Sequence, residues 1–198
     1  MAQVHRYLIT GTHGCGKSTL SHRICSELKK SGYNAIVLSE TARESPFPIN
    51  QGQTVEATLY IALKQAVKEL EAIAHGYQHL VLDRGVLDSF VYSEATRREE
   101  ISEVEAGLLE AFKVWTGKYD DIIFVKSDHN STLEADGVRD TDTAFAQRVE
   151  RLFEHLLMEN FHDRIRVLSY GDMLRSKIKI GGAGEIYLDY ERQYELVS

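Results

Sequence analysis

Apolar positions along the chain follow two alternating periods. Five short, nearly continuous runs rich in Val, Ile and Leu occupy residues 4–10, 34–39, 79–83, 121–126 and 164–169, with the length and composition of strands. Between them the repeat lengthens to that of a helix. Val55, Leu59, Ala62, Leu63, Ala66, Val67, Leu70, Ile73 and Ala74 form one stripe, with Thr54 as its N-cap and Gly76 as its stop. A second stripe joins Ile101, Val104, Leu108, Leu109, Phe112 and Trp115 ahead of Gly117, and a third joins Phe145, Val149, Leu152, Phe153, Leu156 and Leu157. Runs that are apolar throughout need cover on both faces, and parallel strands need long crossovers between them. The alternation therefore predicts an α/β fold, a three-layer sandwich with a parallel sheet between helical layers.

The chain has 198 residues and only two prolines, Pro46 and Pro48, with no Ser/Gly linker, charge block or repeat, so one domain spanning 1–198 is expected. A net charge of −7 argues against broad attraction to nucleic acid or an anionic membrane, while leaving room for a local basic groove. No apolar run nears the roughly 18 residues that span a bilayer. The opening MAQVHRYLITG lacks the basic-then-apolar order of a signal peptide, and the expected location is the cytoplasm. Cys15 and Cys25 have neither disulfide-framework nor zinc-ligand spacing.

The most specific segment is Gly11, Thr12, His13, Gly14, Cys15, Gly16, Lys17, Ser18 and Thr19, which satisfies GxxxxGK[ST] between an apolar strand and an amphipathic helix. Its glycines let successive backbone N–H groups face inward, and the helix that follows adds its positive end, which makes a cradle for a triphosphate. Lys17 is expected to reach the β and γ phosphates, and Ser18 to offer its hydroxyl to Mg²⁺. Cys15, near a helix N-terminus, has two readings: a reactive thiol whose alkylation blocks nucleotide binding, or a side chain that merely fills a variable loop position where bound phosphates oppose the thiolate.

In a parallel sheet, ligands gather beyond the carboxyl ends of the strands, so charged residues there carry weight. After the second run come Glu40 and Arg43; after the third come Asp83, Arg84 and Asp88; after the fourth a polar loop leads to Arg139. Asp83 suits Mg²⁺, directly or through water. Arg84 and Arg43, with their planar forks, suit an anionic or hydroxyl-bearing acceptor, and Glu40 or Asp83 suits orientation of the attacking hydroxyl. Arg139, Arg148 and Arg151 fall in or beside a lid-like segment, about 127–150, of the kind that closes over a bound triphosphate. Phe47, Tyr60 and Tyr92 are candidates both for stacking on an acceptor base and for the core.

The segments GTHGCGKST, SETARE, VLDRGVLDSFVY and DGVRDTDTAFAQRVERLF resemble those of P-loop kinases of the nucleoside, deoxynucleoside and nucleoside-monophosphate group, thymidylate kinases included. They are most similar to the AAA-type subfamily that contains ribosylnicotinamide kinase domains. The resemblance implies a P-loop NTPase sandwich with strand order 2-3-1-4-5, ATP as donor with Mg²⁺, and an adenine pocket around residues 169–172. It also implies Glu40 as general base, Arg84 toward the acceptor, and Arg139 with Arg148 on donor phosphates; Asp88 and Tyr92 are expected beside Arg84 on the acceptor side. The expected activity is phosphoryl transfer to a small nucleoside or nucleotide. Two alternatives stand beside it: a kinase acting on a hydroxylated base or an end in DNA, and a regulatory ATPase or switch. Residues 177–198 match no part of the group; Tyr187, Tyr190 and Tyr194 follow helical spacing and suggest core or homodimer packing.

Overall fold

The computed structural model describes residues 3–39, 41–96, 102–127 and 142–189. Five parallel strands, β1 (His5–Thr10), β2 (Ala35–Leu38), β3 (His79–Asp83), β4 (Asp121–Lys126) and β5 (Ile165–Ser169), form one sheet in the order β2-β3-β1-β4-β5. That is the expected strand set and order. The helices are α1 (Lys17–Lys30), α2 (Val55–Ala74), α3 (Asp88–Thr96), α4 (Glu103–Thr116), α5 (Thr143–Phe161) and α6 (Tyr170–Arg175). Successive strand residues point to opposite faces. Leu8, Leu80, Leu82, Ile122 and Phe124 therefore meet the α2–α5 side with Phe90 and Phe153. Tyr7, Ile9, Val81, Ile123 and Val125 meet Leu20, Ile24 and Met173 on the α1–α6 side.

Register brings the functional turns together. Ile9 in β1 lies opposite Asp83 in β3, and Leu38 in β2 lies opposite Leu82, so the loops after all three strands leave the sheet at one level. Thr54 caps α2, its Oγ1 accepting from Ala57 N at 3.3 Å, as expected. Ser102 and Glu105 form a capping box at the start of α4.

Two expectations need correction. The apolar stripe on α2 is only partly its buried face: Ala62 is buried and Ala66 and Ile73 pack against the core, but Leu63, Val67 and Leu70 are 53%, 50% and 53% exposed, while Thr58, Gln65 and Glu69 are buried. Thr58 and Glu69 turn inward onto hydrogen-bond partners. Glu69 accepts from Trp115 Nε1 and from Tyr119 OH, both at 2.9 Å, and Thr58 Oγ1 accepts from Gln53 Nε2 at 2.9 Å. The helical spacing around Tyr187 also misleads, since Lys177–Ile180 (β6) and Ile186–Asp189 (β7) form an antiparallel hairpin and Tyr187 is exposed on β7. The hairpin is fastened to the α1 side by Tyr7 OH donating to Gly184 O at 2.8 Å and Tyr33 OH donating to Gly182 O at 2.7 Å. Tyr190 and Tyr194 lie outside the described residues. Among the described residues no helix is long and apolar enough to cross a membrane.

Candidate active site

The carboxyl ends of β1, β2 and β3 open onto a cavity of about 200 Å³. The chain leaves β1 into the GxxxxGK[ST] loop, which ends at Gly16, the left-handed N-cap of α1 at φ 82°. A side chain there is strained by the backbone and would force the buried Met173 to shift, since a Cβ on Gly16 would lie 2.2 Å from Met173 Cε and 3.2 Å from Tyr170 Cε2. The segment after β5 therefore abuts the loop directly, and Ser169 Oγ caps α6 by accepting from Asp172 N at 3.0 Å. His13, Gly14, Gly16, Lys17, Ser18 and Thr19 line the cavity. Gly11, Thr12 and Cys15 do not line it; Thr12 and Cys15 face the interior.

Lys17 is buried, and its ammonium donates to the carbonyl of Thr12. Ser18 Oγ donates to Asp83 Oδ2 at 2.5 Å. This places two hard oxygen donors side by side, and among the described residues no cluster of three or more His, Cys, Asp or Glu forms a closed metal cage. Such a donor set fits Mg²⁺, which keeps most of its waters and takes one or two protein oxygens. The reactive-thiol expectation for Cys15 fails on access: the side chain is 1% exposed, and Sγ donates to Thr12 O at 3.0 Å within the α1-side core.

Across the cavity stands the turn after β3. Arg84 has φ 81°, a left-handed backbone that costs a non-glycine residue about 1–2 kcal/mol. Its N–H donates to Ile9 O at 3.1 Å, which carries the sheet one residue further. Its guanidinium donates to Gly11 O (3.3 Å), Asp88 Oδ1 (3.4 Å) and Tyr92 OH (3.3 Å), and lies 5.1 Å from the centre of the Tyr92 ring. Asp88 is buried and also accepts from Thr10 Oγ1 at 2.9 Å and Gly85 N at 2.8 Å. Burial pushes its carboxyl above the usual range, opposed mainly by the Arg84 charge. Tyr92 OH lies 3.5 Å from His13 Nδ1, while the ring packs on Phe145 and Phe153. It is at once core and cavity wall.

The segment after β2 supplies the third wall through Thr41, Ala42 and Arg43. It is tied to α2 by Glu44, whose two oxygens each take one ammonium, Lys64 and Lys68, both at 2.6 Å. These hydrogen bonds pull the Glu44 carboxyl down to about 2. Of the aromatic candidates only Tyr92 lines the cavity, because Phe47 and Tyr60 pack edge to face on each other at 6.2 Å. Sequence reasoning assigned no role to Ile49, Asn50, Gln53, Ile61 and Ser89, all of which line the cavity. Gln53 Nε2 donates to Thr58 Oγ1 at 2.9 Å and to Ser89 O at 2.6 Å. The signal available for Asn50 and Gln53 was their position between Pro48 and the Thr54 cap, in a stretch too polar for core.

Glu40 and Arg139, and most of the lid-like segment, lie outside the described residues. The flanks of that segment are anchored: Glu150 Oε2 accepts from Ser127 Oγ at 2.6 Å, and Asp142 Oδ1 caps α5 by accepting from Ala144 N at 2.9 Å. Arg148 and Arg151 sit on the exposed face of α5 and do not line the cavity.

Comparison with known proteins follows these elements. Among solved structures the chain is similar to a deoxyadenosine kinase from M. mycoides with bound dATP, at 16% identity over 84% of this chain and 91% of that one, with a TM-score of 0.59. It is similar also to that enzyme with the products dCMP and dCDP bound, at 18% identity over 84% and 90%, with a TM-score of 0.55. A thymidylate kinase from Ehrlichia chaffeensis matches at 16% identity over 84% and 87%, with a TM-score of 0.58. At such identities the likeness establishes the fold. No curated protein matches. A family model described as AAA domain matches residues 6–173, which takes in every strand of the parallel sheet, the phosphate loop and the turn after β3. Sheet order, loop and family model agree, and the chain belongs to this AAA-domain family of P-loop proteins.

Proposed function

We propose that the protein is a kinase that uses ATP and Mg²⁺ to phosphorylate a small nucleoside or nucleotide. One observation carries the reading: Lys17, Ser18 and Asp83 share a single cavity with Arg43, Gln53, Arg84 and Tyr92. A hydrolase or a switch needs the first group only; the second is what a second substrate requires. The solved structures of similar fold support it, since they are a deoxyadenosine kinase and a thymidylate kinase.

In this reading the loop N–H groups and Lys17 hold the β and γ phosphates, Lys17 exchanging the Thr12 carbonyl for phosphate oxygen. Ser18 and Asp83 hold Mg²⁺, which neutralises charge on the phosphate oxygens when bound. With Asp83 engaged beside Ser18, Glu40 is the residue that takes the proton from the attacking acceptor oxygen. That oxygen bonds to the γ phosphorus as the bond from phosphorus to the β–γ bridging oxygen breaks, and ADP leaves. Arg84, together with Arg139 from the lid-like side, faces the charge that develops during transfer; Arg148, exposed on α5, takes no part in this reading. Asp88 lies behind Arg84, and Arg43 and Tyr92 border the acceptor. Labelled ATP with Mg²⁺ and a panel of nucleosides, monophosphates, nicotinamide riboside and oligonucleotides tests the proposal. Transfer to a nucleoside or monophosphate supports it. Transfer only to oligonucleotides moves the acceptor into DNA, and phosphate release indifferent to every acceptor replaces the kinase with an ATPase.

A further inference from the structure

Arginine at a position with the backbone of a glycine needs a reason. At φ 81° Arg84 directs the next peptide away from the sheet, so that the N–H of Gly85 points to the first residue of α3, Asp88, at 2.8 Å. A glycine would take that turn without strain. What a glycine lacks is the guanidinium, which here reaches both the entrance of the phosphate loop at Gly11 O and the cavity wall at Tyr92 OH. Asp88 lines the cavity, and its carboxylate is bonded to the Arg84 side chain and the Gly85 N–H of this turn and to Thr10 of β1. One oxygen accepts from Thr10 Oγ1 and Arg84 Nη1, and the other from Gly85 N. Three of a carboxylate's roughly four lone-pair directions are thus used inside the protein, and the residue is 3% exposed.

We propose that Asp88 is a positioning residue: it pins Arg84 in its left-handed backbone and aims the guanidinium across the mouth of the phosphate loop, without touching the acceptor. Thr10, the last residue of β1, fixes Asp88 in turn, so the aim of Arg84 is referenced to the strand that carries the phosphate loop. The catalytic consequence rests on the kinase reading; the positioning itself rests on geometry alone.

The test uses Asp88→Asn, which keeps shape but turns a donor toward Arg84, and Thr10→Val, which removes only the hydroxyl that holds Asp88. Both are compared in the full chain with wild type, Arg84→Ala and the Asp88→Asn/Arg84→Ala double variant. Three quantities are read: the Nε–H resonance of Arg84 in ¹⁵N-arginine-labelled protein, assigned by its loss in Arg84→Ala; the affinity for Mg·ADP; and kcat and KM for the best acceptor of the panel. The Arg84 resonance is expected to be dispersed in wild type and averaged in both variants. Mg·ADP affinity and acceptor KM should stay within about threefold, while kcat falls about 100-fold in Asp88→Asn, the scale of a misplacement near 1 Å. Once Arg84 is alanine, Asp88→Asn should remove less than about threefold more. A raised acceptor KM with kcat retained makes Asp88 a direct ligand and overturns the proposal, as do independent, multiplying losses in the double variant. If wild type phosphorylates no acceptor, the kinase reading fails and the resonance decides alone: an Arg84 signal unmoved in both variants refutes the positioning role. Should Asp88→Asn not fold, Thr10→Val carries the same three readouts.

Discussion

Alanine in place of Gly16 separates two physical effects that the phosphate loop combines. Its φ of 82° costs an L-residue about 1–2 kcal/mol. The added methyl would also meet Met173 Cε at 2.2 Å, and Met173 is fully buried, so the overlap adds the about 1–3 kcal/mol usual for overpacking. The sum, about 2–5 kcal/mol, lowers the Tm of a domain of this size by about 4–20 °C. Gly76 is the control: its φ is 86° with nothing within 4 Å of a built Cβ, so Gly76→Ala carries only the backbone cost, about 2–8 °C. Thermal unfolding of wild type and both variants, with and without Mg·ADP, measures the difference. Ligand at 100 times Kd stabilises by about 2.7 kcal/mol, an upward shift of about 5–11 °C, expected for wild type and Gly76→Ala. Gly16→Ala should show none, because its distorted loop cannot turn N–H groups inward. A Gly16→Ala protein that melts no lower than Gly76→Ala refutes the packing argument, and equal ADP shifts in all three remove the loop from nucleotide binding.

Arg84→Ala should keep the Mg·ADP shift and lose transfer by about 10³-fold or more, whereas Lys17→Ala should lose both; normal turnover in Arg84→Ala would take Arg84 out of the chemistry. Glu69→Ala strands the Trp115 N–H and the Tyr119 hydroxyl in the core, at about 1–3 kcal/mol each, while Glu69→Gln keeps an acceptor and should cost clearly less in urea unfolding. The His79 imidazole is held below its ordinary 6.5 by burial first and by the neighbouring His5 charge second, so the folded state binds fewer protons than the unfolded one. Its contribution is therefore intact above about pH 6.5 and is lost as pH falls below that value. Chemical denaturation across pH should show the loss in wild type and a flatter acid limb in His79→Asn; parallel profiles would contradict the assignment.

The sheet, its strand order and the phosphate loop are legible in the sequence because their causes are local or follow from resemblance on long motifs. A β-branched run forms a strand with or without knowledge of its neighbours, and GK[ST] after a strand forms an anion nest from its own backbone. What escapes is any role set by a partner distant in the chain. On α2, Thr58, Gln65 and Glu69 look like the wet face until Trp115 and Tyr119 arrive to meet Glu69, and the apolar letters of Leu63, Val67 and Leu70 then face outward. Periodicity can locate a helix but cannot set its rotation when polar groups have internal partners. Asp88 is a related case at the site: its place after β3 suggests an acceptor ligand and it lines the cavity, but that its carboxylate also accepts from Thr10, 78 residues earlier, no spacing foretells. Gln53 is the converse, an unpatterned polar residue that becomes part of the wall only because Thr58 and Ser89 come to either side of its amide. The donor side of the cavity uses backbone N–H groups and one lysine, which spacing encodes. The opposite side is assembled from single polar side chains on separate segments, so under the proposed kinase function the choice of acceptor is written where sequence pattern is weakest.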